Sequence, residues 1–133
     1  MSIKVLLAVD GSEVSDRATD RLIALKRAGA PFEATVIQVQ PFMSIEAQAM
    51  QLQSHGEAAM KSALSRLDSA GIPYDTHIAM GPAGVRICEF ADAGGFQMIV
   101  LGTKGLGWVN TVLVGSVAKH VIESSNVPVL LVR

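Results

Sequence analysis

One cysteine, Cys88, stands in a chain of 133 residues. That excludes an intrachain disulfide framework and any zinc site built from cysteines alone. An excess of charge of one sign is missing as well. Eleven Lys and Arg face twelve Asp and Glu, for a net charge of −1, so no basic field exists to grip nucleic acid. No apolar run approaches the ~20 residues of a membrane span. The opening Met1-Ser2-Ile3-Lys4-Val5 lacks a signal peptide's apolar stretch and cleavage site. The three histidines, His55, His77 and His120, share no zinc-ligand spacing. What is present is a chain 50% hydrophobic and 17% charged, with 12 glycines, too apolar for disorder. Its length suits one domain over residues 1–133. The expectation is a soluble cytoplasmic domain without nucleic-acid or membrane partners.

Hydrophobic rhythm supplies the architecture. The run from Ile3 to Val9 is nearly continuous and β-branched, which suits a strand covered on both faces. It stops at Asp10-Gly11-Ser12, where Ser12 can cap a helix that carries Glu13 and Asp16 in its first turn. Val14, Ala18, Leu22 and Leu25 recur at helical spacing until Gly29 and Pro31. A second strand is predicted over Glu33 to Val39, and a long helix over Glu46 to Ala70 with Leu52, Ala59, Ala63 and Leu67 on its apolar stripe. Tyr74 to Met80 reads as a third, more exposed strand. Ala83 to Ala93 reads as a helix, Met98 to Leu101 as a short buried strand and Gly102 to Val114 as a loop. Gly115 to Ser124 reads as a helix and Val127 to Val132 as the last strand. Strands alternating with helices need crossover connections, which gives an α/β domain with a doubly wound parallel sheet.

Open parallel sheets bind ligands beyond the carboxyl ends of their strands, where strand order reverses. Two segments stand out there: Asp10-Gly11-Ser12, and the glycine-rich stretch from Gly102 through Lys104, Gly105 and Gly107 to Gly115-Ser116. Glycines let backbone N–H groups approach an anion, and a helix opening at Gly115-Ser116 turns its free N–H groups toward the same space. The Ser116 hydroxyl and the Lys104 ammonium can add charge-assisted bonds. Asp10 would repel a phosphate, so it must hold a ribose hydroxyl or act through a divalent cation such as Mg. Each element also has a plain reading, with the glycines as turn chemistry and Asp10 and Ser116 as helix caps. The joint pattern favours a phosphate site. Neither a P-loop nor a Gly-x-Gly-x-x-Gly after the first strand is present.

Gly102-x-x-Gly105, nine residues, then Gly115-Ser116 resembles the ATP-binding signature of the universal stress protein family. The opening Ile3 to Ser12, the Gly81-Pro82 turn and the ending Val127-Pro128-Val129-Leu130-Leu131-Val132 are similar to that family too, so the likeness spans the chain. The resemblance implies a five-stranded parallel sheet in order 3-2-1-4-5, and a homodimer through the last strand. It implies binding of ATP, or of ADP or AMP. Carried over by position, Asp10 would lie near the ribose or a metal, and Val39 would meet the adenine. Leu101, Gly102, Lys104 and Gly105 would line the ribose and phosphates, while Gly115, Ser116 and Val117 would hold the phosphate tail. Between Gly105 and Gly115 this chain has Trp108, Asn110 and Thr111 where the family often carries Arg or Lys.

Other residues point elsewhere. His55 and His77 read as surface residues, His120 as a capping or solvated residue, Cys88 as a buried small hydrophobe, and Met43, Met50 and Met60 as core or interface filling. Three further functions compete with a phosphate site. A slow ATPase or phosphotransferase needs a water-orienting group and a cation, for which only Asp10 and His120 offer themselves. A nucleotide-free dimerisation module would use the glycines only as turns. A phosphoacceptor receiver domain needs an Asp at the end of strand three, where this chain has Ala79-Met80-Gly81. The leading reading is a nucleotide-binding regulatory module rather than an enzyme.

Overall fold

Val5, Leu6, Leu7 and Ala8 are all buried, so β1 (Ile3–Ala8) is covered on both faces. The computed structural model describes residues 2–104 and 114–133. In it β1 pairs in parallel with β2 (Phe32–Gln40) on one side and β4 (Met98–Gly102) on the other. β3 (Tyr74–Met80) lies outside β2, and β5 (Val129–Val132) outside β4. The order β3-β2-β1-β4-β5 is the five-stranded doubly wound sheet implied above. Leu7 stands opposite both Val36 and Val100, which fixes the two central ladders at one level.

The helices divide between the faces by the parity of the strand residues they cover. α1 (Glu13–Arg27) and α3 (Gln53–Ser69) bury Ala18, Leu22, Met60, Ala63 and Leu67 against Val5, Leu7, Val36 and Val100. α4 (Ala83–Ala93) and α5 (Ser116–Ser124) bury Ile87, Ala91, Ala118 and Val121 against Leu6, Ile37, Ile99 and Leu101. α1 forms where the sequence placed it, with the Ser12 hydroxyl accepting from Ser15 N at 3.1 Å. Its acidic first turn (Glu13, Asp16) and basic last turn (Lys26, Arg27) complement the helix dipole. Arg66 of α3 reaches Asp20 of α1 at 2.7 Å and Asp16 at 3.6 Å across the helix pair.

The long second helix is not uniform. It is built from α2 (Ile45–Ala47), a π-helical turn over Gln48–Leu52, and α3. Of the apolar stripe expected at Leu52, Ala59, Ala63 and Leu67, the last two are buried, together with Gly56 and Met60, while Leu52 and Ala59 are only half-buried. Gly56 belongs there because a Cβ would stand 2.6 Å from the Ile78 side chain of β3. Met60 fills the core as expected, whereas Met50 is 80% exposed on the π-helical turn. The last strand begins at Val129 rather than Val127. Pro128 has no N–H for the ladder, and Ser125 Oγ bonds both N–H and C=O of Val127 in a turn. β3 is the more exposed edge strand that its alternation predicts, and its His77 stacks on Phe90 of α4 with ring centroids 4.2 Å apart. Among the described residues no helix is long and apolar enough to cross a membrane.

Two substitutions test this packing. Leu22→Ala should lower stability by about 2–5 kcal/mol in urea titrations, with Met50→Ala staying within about 0.5 kcal/mol. A Cβ on Gly102 would stand 2.5 Å from Val14 Cγ1, so α1 crosses β4 directly over this glycine. Gly102→Ala should therefore cost about 1–3 kcal/mol. Combined with Val14→Ala, it should cost measurably less than the two changes summed, because the first removes the atom the second collides with.

Candidate functional site

Three strand ends meet at one level. Ala8 stands opposite Ile37, and continuing that register sets Asp10 beside Val39. Leu7 stands opposite Val100, and the same count sets Asp10 beside Thr103. Here the connection from β1 leads to β2 on one side and that from β4 leads to β5 on the other, so the gap between β1 and β4 is the topological switch point.

After β1 the chain makes a tight, fully bonded turn. Asp10 Oδ1 accepts from Ser12 N at 2.9 Å, Asp10 N donates to Ser15 Oγ at 3.2 Å, and Gly11 adopts φ +84. That left-handed φ is what a glycine supplies without strain. A Cβ there would meet the Ala59 carbonyl at 3.4 Å, so the turn also lies against α3. Asp10 is thus an Asx-turn residue, half-buried at the rim, while Ser12 is the cap of α1.

After β4 the loop is closed at its base. Thr103 is buried; its N donates to Val132 O at 2.8 Å, and its carbonyl accepts from Gly115 N at 2.6 Å. Gly115 is the N-cap of α5, in extended backbone, and no described side chain caps that helix. Lys119 N returns to Gly115 O, so the N–H groups of Ser116, Val117 and Ala118 have no partner within the helix. Here the structure refines the sequence reading: the Gly115 N–H is engaged by Thr103, and Ser116 is the first helical residue rather than its cap. A helix end of this kind favours an anion.

The predicted site residues fall into three groups. Asp10, Lys104, Gly115, Ser116 and Val117 gather around the ends of β1 and β4, and Val39 stands at their level on β2. Leu101 is buried in the second core, so only its backbone can face a ligand, and Gly102 is already committed to packing on Val14. Gly105 lies outside the described residues, as do Trp108, Asn110 and Thr111. Sequence reasoning missed Gln38, a buried polar side chain at the end of β2, and the Thr103 clasp. The polar-apolar-polar run Gln38-Val39-Gln40 closing an apolar strand was the available signal.

The residues set aside stay aside. His55 is exposed, and burial followed by the nearby Asp92 pushes the Cys88 thiol up, away from nucleophilic character. The His120 ring is neither a cap nor simply solvated; it lies where a Cβ on Gly84 of α4 would meet it at 2.8 Å. No three His, Cys, Asp or Glu among the described residues could together hold a metal. A magnesium ion here would take the Asp10 carboxylate and draw on phosphate and water oxygens for much of its shell.

The geometry has close counterparts. A model of the universal stress protein family matches residues 1–133. A universal stress protein of Methanocaldococcus jannaschii, MJ0531, is 29% identical, with the match covering 98% of this chain and 81% of that one. YxiE of Bacillus subtilis is 25% identical over 98% of both chains. The solved structure of MJ0577, also from M. jannaschii, superposes with a TM-score of 0.84 at 27% identity, covering 99% of this chain and 96% of that one. A universal stress protein crystallised in complex with cAMP superposes at 0.77 and 25% identity, over 98% and 97% of the two chains. With a family match over its whole length and an overall fold shared with MJ0577, the chain belongs to the universal stress protein family.

Proposed function

We propose that this chain binds an adenine nucleotide, ATP or its ADP or AMP forms, in the crevice beyond β1 and β4, and that it is a regulatory binding module rather than an enzyme. The observation that carries this reading is the convergence of a helix end that no described side chain caps, the Thr103–Gly115 hydrogen bond, and the Asp10 turn at one switch point. A relative at 25% identity was crystallised with cAMP, which shares the adenosine and phosphate chemistry. In this reading Val39 meets the base, and Asp10 holds the ribose or a magnesium ion. Leu101, Gly102, Lys104 and Gly105 line ribose and phosphates through their backbone and the lysine ammonium. Ser116 and Val117 supply the N–H groups to the phosphate tail, with Gly115 allowing close approach. The proposed homodimer forms through the last strand, Val127 to Val132, whose described β5 residues are half-buried apolar groups on a sheet edge. The setting proposed is the cytoplasm, and the role a stress response read out by partners.

Titration calorimetry with ATP and magnesium tests the site. Ser116→Ala should weaken binding about tenfold, the loss of one charge-assisted hydrogen bond. Gly115→Val, which sets a branched side chain at the phosphate approach, should remove measurable binding. Equal affinity in wild type and Gly115→Val would sink the reading. Asp10→Asn keeps an oxygen for the Ser12 N–H and loses the charge. Its folding should be unchanged, while the gain in ATP affinity on adding magnesium, about tenfold in wild type, should vanish. A magnesium response retained in Asp10→Asn would mean that the carboxylate does not hold the metal.

A further inference from the structure

Most polar side chains in this fold stand at the surface; Gln38 does not. It is 4% exposed, near the end of β2 and next to the residue proposed to meet the base. Its amide is held from both sides. Gln40 Nε2 donates to Gln38 Oε1 at 2.8 Å, and Gln38 Nε2 donates to the Val39 carbonyl at 3.1 Å. The chain of donors has a direction. With Oε1 accepting from Gln40, the group turned toward Val39 must be the NH₂, because the flipped amide would set two oxygens against each other.

The Val39 carbonyl needs such a partner. In a parallel strand, successive residues bond alternately to the two neighbours. The Ile37 carbonyl accepts from Val9 N on the β1 side, and the Gln40 carbonyl accepts from Gly81 N on the β3 side. Val39 therefore turns its peptide groups toward β1. But β1 ends at Ala8, and its chain leaves through the Asp10 turn, so the Val39 carbonyl is the first on β2 to outrun its ladder on that side. A carbonyl oxygen has two lone pairs. One is taken by the Gln38 amide, and among the described residues nothing takes the other.

We infer that Gln38 is a specificity-determining positioning residue for the base: it fixes the Val39 carbonyl as a hydrogen-bond acceptor at the crevice, so that a purine with an exocyclic amine at C6 is accepted and one with a carbonyl there is refused. Adenine presents an amine donor at that position and guanine a carbonyl oxygen. A rigid acceptor facing the guanine oxygen leaves two acceptors opposed and unpaired, which discriminates more strongly than a lost contact. Without the Gln38 amide the Val39 carbonyl is held only through the Gln40 side of its peptide in the β3 ladder, and its preference falls. This inference rests on the nucleotide-binding reading and adds to it the residue that selects the base.

The test is competition binding with ATP, GTP and inorganic tripolyphosphate against wild type, Gln38→Met and Gln40→Leu, each first shown to melt cooperatively. Wild type should prefer ATP over GTP by about tenfold or more. Gln38→Met, close in size, should bring the ATP:GTP ratio near one, with tripolyphosphate affinity unchanged. A role confined to core packing would move all three ligands together. Gln40→Leu lies at a half-buried position and removes only the outer donor, so it should lower the ratio about threefold in the same direction, and it decides the matter if Gln38→Met does not fold. A ratio that both variants leave intact overturns the assignment while nucleotide binding stands. A wild type that binds neither ATP nor tripolyphosphate overturns the nucleotide reading itself, and this inference with it.

Discussion

The structure depends on a single constraint: β1 must be hydrogen-bonded along both edges and covered on both faces at once. Its four consecutive buried residues leave no side for water. Odd positions require α1 and α3 on one face, and even positions require α4 and α5 on the other. The two ladders require β2 and β4 as neighbours of β1, although β3 lies between them in the chain. Right-handed crossovers then send the connections away in opposite directions, and the gap between them is the crevice. The site is a by-product of how the middle strand is buried.

Much of this was legible in the residues. Continuous apolar strands, Ser12 with its acidic first turn, and the Gly and Pro stops located every helix to within a few positions, since those signals act within one turn of the backbone. What stayed hidden was long-range. Pro128 delays the last strand because its missing N–H matters only once β4 is alongside. The stripe of α3 runs through Gly56 because Ile78 comes within 2.6 Å of where a Cβ would stand, a fact no local pattern carries. The π-helical turn at Gln48–Leu52 likewise has no signature in its residue types.

The site was legible in its outline and altered in its parts. The described ends of the glycine segment, Gly102 and Gly115, do converge with the Asp10 turn, but both glycines have work of their own. Gly102 admits Val14 of α1, and Gly115 gives its N–H to Thr103. A glycine motif read from sequence mixes approach to a ligand with approach of one element to another, and only coordinates separate the two. Gln38 escaped notice for the opposite reason: glutamine carries no motif, and its importance comes from burial alone.

The pairing of β1 with β4 has a further consequence for how such a chain is made. Val5 waits for Met98, and no nearer segment can take that edge. On a ribosome adding about 5–20 residues per second, the amino-terminal strand spends several seconds with the N–H and C=O groups of one edge unpaired, long after β2 has become available. Nascent chains of intermediate length are therefore sticky, and holding factors that shield an unpaired strand would find their target in the first eight residues rather than in the last.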